Sequence, residues 1–210
     1  MLWLASWPRS GNTLLRTIFF SCFGLHTGSI YPRDLGGNET LEKQTGHIEW
    51  EADGQIHFPN QIPVLKTHEL PQNDAPAIYI VRNGRAACVS LWQFYNQSLP
   101  LEVVITGQHR FGSWANHVRA WNPWERPNTL LLHYEDLARD HKTAFDPLTT
   151  FLGTPVQSEE LPSRDELAGK DGRWVRQKSN WREQWTEERE ALFLQYNGEI
   201  AEQLGYSESD

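Results

Sequence analysis

The sequence predicts an α/β fold, a single domain in which helices flank a central parallel β-sheet. Three observations predict it. Four short apolar runs, at residues 2–6, 63–68, 77–82 and 129–134, have strand length and bounding turn residues. Segments with helically spaced apolar residues lie between them, and that alternation argues for a parallel sheet covered on both faces. The 210 residues, 39% hydrophobic and 22% charged, fit one globular domain over 1–210 with a substantial core.

The elements follow in order. Residues 2–6 read as a buried first strand. Trp7-Pro8-Arg9-Ser10-Gly11-Asn12-Thr13 has turn composition. Leu14, Leu15, Ile18, Phe19 and Cys22 then recur at helical spacing. Residues 24–46, rich in Gly, Asn, Thr and Pro, read as loop. Asp53-Gly54 between two alternating runs predicts a small β-hairpin at 47–58, attached to the main sheet. Residues 63–68 and 77–82 are the second and third strands. Asn83-Gly84 turns the chain into a helix over 85–97. Residues 129–134 form the fourth strand, and a helix from about 137 ends at Gly153. Leu192, Tyr196, Ile200 and Leu204 make one stripe of a last helix, which Thr186 caps with Glu187 and Glu188 behind it. Residues 161–178 are the most polar stretch and suit a flap.

Composition narrows the function classes. Lys and Arg number 19 against 27 Asp and Glu, a net charge of −8. An acidic chain is a poor general nucleic-acid binder. Two cysteines, Cys22 and Cys88, make no disulfide scaffold and read as buried helical side chains. No apolar run reaches the roughly 18 residues of a membrane span. The opening residues are too short for a signal peptide. The expectation is a soluble, cytoplasmic protein with no membrane contact. None of the eight histidines has a zinc-site spacing, so no metal is expected.

The chemistry gathers at strand ends, where ligands of parallel sheets collect. The loop 7–13 points backbone N–H groups and a helix N-terminus at one spot, an anion nest. It lacks the first Gly and the Lys of a Walker loop. Strand two ends in Lys66-Thr67-His68, and strand three in Arg82, with Ser90 on the helix beyond. Three strand ends therefore offer Arg9, Lys66, His68 and Arg82 to one anionic ligand. His68 is the titratable base among them.

With these segments in view, the sequence resembles the sulfotransferases that use 3′-phosphoadenosine 5′-phosphosulfate (PAPS). Trp7-Pro8-Arg9-Ser10-Gly11-Asn12-Thr13 is similar to that family's 5′-phosphosulfate loop. Leu65-Lys66-Thr67-His68-Glu69-Leu70-Pro71 resembles the segment carrying the catalytic base. Tyr79 to Ser90 resembles the 3′-phosphate segment, and Tyr134-Glu135-Asp136 and Phe151-Leu152-Gly153 are weaker matches. The resemblance implies a P-loop-like sulfotransferase fold and transfer of a sulfuryl group to an acceptor hydroxyl or amine, leaving the bisphosphate PAP. It implies His68 as general base, Arg9 at the leaving phosphate and Lys66 at the sulfuryl oxygens. Ser10, Gly11, Asn12 and Thr13 would hold the 5′-phosphate, Arg82 and Ser90 the 3′-phosphate, and Tyr134 would lie near the nucleoside. Arg176, or else Arg173, would cover the 3′-phosphate from the C-terminal side.

Departures are visible. Arg9 stands in a lysine position, and the two cations are not equivalent. Leu14 replaces a stacking Trp, Gly84 a Pro, and Ala87 an Asp. The ten tryptophans, Trp50, Trp92, Trp114, Trp121 and Trp124 among them, read either as packing or as a stacking surface for a small-molecule or glycan acceptor. Rival readings are a P-loop-like kinase, an anion- or glycan-binding module, and a PAPS-binding chain that has lost catalysis. Acceptor identity and oligomeric state have no signature in the sequence.

Overall fold

A computed structural model describes residues 1–60, 62–162 and 180–207. The sheet has five parallel strands in the order β2-β3-β1-β4-β5. These are β1 (Leu2–Ala5), β2 (Gly28–Ser29), β3 (Val64–Thr67), β4 (Ala77–Val81) and β5 (Thr129–His133). Among the described residues the α-helices are α1 (Asn12–Phe23), α2 (Glu39–Thr45), α3 (Gly84–Phe94), α4 (Leu101–Thr106), α5 (Trp114–Trp121), α6 (Tyr134–Arg139), α7 (Phe145–Leu152) and α8 (Glu187–Gln203).

Strand alternation divides the core in two. Trp3, Ala5, Tyr79 and Val81 face one side, against α3, α4, α5 and α8. Leu2, Leu4, Ile78 and Ile80 face the other, against α1, α6 and α7. With both faces covered, every residue of β1 and β4 is buried, as their near-continuous apolar runs require. Cys22 and Cys88 are buried free thiols, one on each side. Register aligns Ala5 with Thr67 on one flank and Tyr79 on the other. The chain leaving β1 therefore emerges between the ends of β3 and β4.

Four sequence expectations need correction. The 47–58 hairpin forms no strand pair. Its turn closes, with Glu51 N donating to Gln55 O at 2.8 Å, but the flanking side chains are drawn elsewhere. Trp50 donates to Ser29 O, and Ile56 and Phe58 pack over Gly28. The loop 24–46 contains β2 and α2, the latter capped by Asn38, whose side chain accepts from Leu41 N. The helix expected from about 137 to 152 breaks into α6, a 3₁₀ turn at His141–Ala144 and α7, because Asp140 leaves helical geometry to cap Lys142 N. The buried stripe of α8 is Phe193, Asn197, Ile200 and Ala201, while Tyr196 is 43% exposed. Asn197 disguises that face in the sequence, but buried it is satisfied: its Oδ1 accepts from Ala115 N and its Nδ2 donates to Ile105 O. Thr186 does cap α8. No helix among the described residues is long and apolar enough to cross a membrane.

Candidate active site

The loop between β1 and α1 sets the floor of the site. Arg9 has φ 66° and Gly11 φ 107°, both left-handed. A left-handed arginine is sparsely populated and persists only where its surroundings hold it. Arg82 supplies one such hold, its NH1 donating to Arg9 O at 3.1 Å. Gly11 is the N-cap of α1, so the N–H groups of the first turn open toward the loop. Ser10 is buried, and Thr13 is half-buried. The Asn12 side chain turns inward instead, its Nδ2 donating to Leu4 O and Ser6 Oγ. Its contribution to an anion is therefore its backbone N–H, and its side chain ties the loop to the end of β1.

β4 and α3 supply the second wall. The Arg82 guanidinium lies 4.7 Å from the Tyr134 ring centroid, a cation–π distance. Arg9 Nε donates to Ser90 Oγ at 3.3 Å, and its guanidinium lies over Phe94. Arg9, Arg82, Ser90 and Tyr134 thus come together across elements far apart in sequence. Asn83 caps α3 by accepting from Arg85 N and Ala86 N, and its own N–H donates to Glu135 Oε1. Arg176 and Arg173 lie outside the described residues.

β3 supplies the third wall. His68 Nδ1 lies 2.8 Å from Ser6 O. A carbonyl only accepts, so Nδ1 carries the proton and Nε2 keeps a lone pair. Burial and then the Lys66 charge push His68 well below its ordinary pKa, so the ring is neutral. Tyr31 stacks on it at 5.9 Å, and Phe111 meets it edge-on at 6.0 Å. The Tyr31 hydroxyl accepts from His68 N and donates to Glu69 Oε1. Behind the strand, His117 Nε2 donates to His68 O at 3.1 Å, and its Nδ1 accepts from the Tyr79 hydroxyl. Lys66, 5% exposed, donates to Asp34 Oδ1 at 2.8 Å. Burial lowers its pKa, and Asp34 opposes that.

Sequence reasoning missed Asp34, Tyr31, Phe111 and His117. One signal pointed toward Asp34. Arg16 sits inside an apolar helical face, and a buried arginine demands a carboxylate. The tryptophans resolve mainly as packing: Trp114 and Trp121 are fully buried, Trp92 and Trp124 pack against the core, and Trp50 is 40% exposed. Leu14 packs against the α1-side core. Among the described residues, no three His, Cys, Asp or Glu side chains gather as a metal site.

Comparisons with known proteins bear on the family and the fold. Rat sulfotransferase 1C2 (Rattus norvegicus) is 31% identical over 185 residues, which are 75% of this chain and 60% of that protein. Human sulfotransferase 1E1 (Homo sapiens) is 29% identical, over 77% of this chain and 61% of that protein. The chain thus spans about 60% of the length of these relatives. The crystal structure of mouse sulfotransferase SULT7A1 complexed with PAP superposes with a TM-score of 0.65 at 22% identity, covering 99% of this chain and 86% of that one. Retinol dehydratase in complex with androsterone and PAP gives 0.67 at 17% identity, covering 95% and 80%. These two likenesses establish the P-loop-like fold. A model of the sulfotransferase domain matches residues 1–168, a span that holds all three walls of the site. By that match the chain belongs to the sulfotransferase family.

Proposed function

We propose that this chain transfers the sulfuryl group of PAPS to the hydroxyl or amine of a small-molecule or glycan acceptor, with His68 as general base and no metal. One observation carries the reading: at the exit of β3, His68 presents an unprotonated Nε2, while Arg9 and Arg82 meet at the neighbouring exits of β1 and β4. The relatives' shared family and the PAP in the superposed structures support the choice of donor.

The residues suit such a ligand. Arg9, Arg82 and the N-terminus of α1 come together at the loop after β1, a set of cations and N–H donors that suits a doubly phosphorylated anion. PAPS, when bound, supplies the sulfuryl group and a phosphate leaving group. The chain's own tasks are positioning and electrostatics, as in phosphoryl transfer. His68 accepts the acceptor proton at Nε2, and its bond to Ser6 O fixes the tautomer. A positioned base of this kind is worth about 10²–10⁴-fold. Lys66, two residues earlier on the same strand, would attend the sulfuryl oxygens. Arg9 and the first-turn N–H groups of α1 attend the 5′-phosphate, and Arg82 with Ser90 attends the 3′-phosphate. Tyr31 and Phe111, flanking His68, border the acceptor side.

Thermal unfolding with and without PAP, with ATP plus Mg²⁺ as comparison, tests the donor. A ligand at 100 times its Kd adds about 2.7 kcal/mol, a shift of about 5–11 °C for a chain of this size. The expected result is a shift with PAP that Arg82→Ala removes. A shift with ATP plus Mg²⁺ and none with PAP overturns the reading. With the donor established, His68→Ala should abolish transfer from PAPS without removing the PAP shift; binding without turnover in the unmodified chain would mark a catalytically degenerate member.

A further inference from the structure

Lys66 stands at the end of a chain of buried charges that the proposed reaction does not itself use. Asp34 receives Lys66 Nζ on Oδ1 at 2.8 Å and Arg16 NH1 on Oδ2 at 2.8 Å. Arg16 Nε donates to Thr27 Oγ1, and its NH2 to His47 Nδ1 at 2.6 Å. His47 passes the chain outward, Nε2 donating to Glu49 Oε1 at 2.7 Å. The side chains of Arg16 and Asp34 are 1% and 3% exposed. The backbone is bent to deliver that carboxylate. Arg33 and Leu35, either side of Asp34, both have left-handed φ, 57° and 65°, before Gly36 and Gly37 continue in the same region. Non-glycine residues hold such angles only where something fixes them; here the Asp34 carboxylate between two cations is joined by the turn's own bonds, Gly36 N to Arg33 O and Asn38 N to Leu35 O.

We infer that Asp34 is a positioning residue for Lys66: anchored by Arg16, its carboxylate keeps the Lys66 ammonium charged and fixed at the exit of β3, two residues from His68. This rests on the proposed role of Lys66 at the sulfuryl group. The groups facing Lys66 include Asp34, Arg16, Arg9 and His68, with the Tyr31 ring 5.6 Å from Nζ. Burial and the neighbouring cations oppose its charge, and the direct ion pair with Asp34 favours it. An ammonium that lost its proton, or swung by an ångström, would lose its hold on developing negative charge.

The chain has five lysines, so ¹³C-lysine labelling gives a small set of signals from which Lys66→Met assigns Lys66. In the full chain, Asp34→Asn should move the Lys66 titration to lower pH. It should also cut PAPS turnover, with 4-nitrophenol as acceptor, by about 10²-fold, while the PAP-induced thermal shift persists. The alkaline limb of the turnover profile should move with Lys66. Arg16→Gln removes a neighbouring cation and should move the titration the opposite way; it serves as the test if Asp34→Asn does not fold. An unmoved Lys66 titration overturns the inference, even if turnover falls, because that is the mark of a merely structural carboxylate. Should the unmodified chain show neither turnover nor a PAP shift, the functional reading fails, and the Lys66 titrations still decide the role of Asp34.

Discussion

A β-carbon on Gly11 would stand 2.4 Å from Cδ2 of Tyr134, inside any possible contact. Gly11 also holds φ 107°, which side-chain-bearing residues rarely adopt. Ile80 Cδ1 closes the same space at 3.0 Å. The loop thus has two separate requirements for glycine, one steric and one conformational.

Those requirements separate in a double-mutant cycle. Gly11→Ala should destabilise by about 1–3 kcal/mol from backbone strain, with the clash added. Tyr134→Ala opens the space but leaves φ unchanged. The combined variant should be less destabilised than the sum of the two, and still less stable than Tyr134→Ala alone. Urea unfolding measures all four states. Strict additivity would mean that ring and loop do not touch.

His117 predicts an acid-side loss of stability. Burial lowers its pKa from 6.5 to about 4. Above pH 6.5 neither folded nor unfolded chain binds this proton. Between 6.5 and about 4 the unfolded chain takes a proton that the folded chain refuses, so stability falls with pH, by roughly 3 kcal/mol in total. Below that window the dependence ends. His68, also pushed down, acts in the same direction. His117→Gln keeps a donor for His68 O without a titrating ring, and should flatten the slope in urea titrations run from pH 7.5 to 4. An unchanged slope would contradict the assignment.

The Arg85–Glu190 pair predicts how the C-terminal helix is held. Arg85 Nε and NH2 donate to the two carboxylate oxygens of Glu190 at 2.8 and 2.6 Å, and the Arg85 side chain is 2% exposed. The Phe193 ring lies 4.5 Å from the same guanidinium. Removing one partner leaves a buried charge, so Glu190→Ala should cost about 3–5 kcal/mol. α8 should then become an early site of protease cleavage. Arg85→Met with Glu190→Leu should recover much of the loss. Equal stability of the single and double variants would show that the pair's charges are screened by solvent.

Much of the site is legible in the sequence because its parts are local. The loop 7–13, Lys66-Thr67-His68 and Arg82 each follow a strand that its own apolar run announces, and a parallel sheet puts such exits on one edge. Thr186 is readable for the same reason: a cap acts on backbone two or three residues away. Thus the sequence by itself determined the strand order of chemistry, namely which residues stand at the exits of β1, β3 and β4.

The tertiary structure decided everything that joins distant residues. Asp34 meets Lys66 across 32 positions, Tyr31 meets His68 N across 37, and Arg85 meets Glu190 across 105. None of these pairings has a period or a spacing. Asn12 reads as a phosphate ligand by position, yet its side chain turns to Leu4 O and Ser6 Oγ. The Asp53-Gly54 turn forms without its strands, because Trp50, Ile56 and Phe58 find partners on the β2 side. Local propensity fixes the conformation of a few neighbouring residues. A buried charge or ring is placed by whichever partner the closed chain brings within reach, and that is settled only when the whole core assembles.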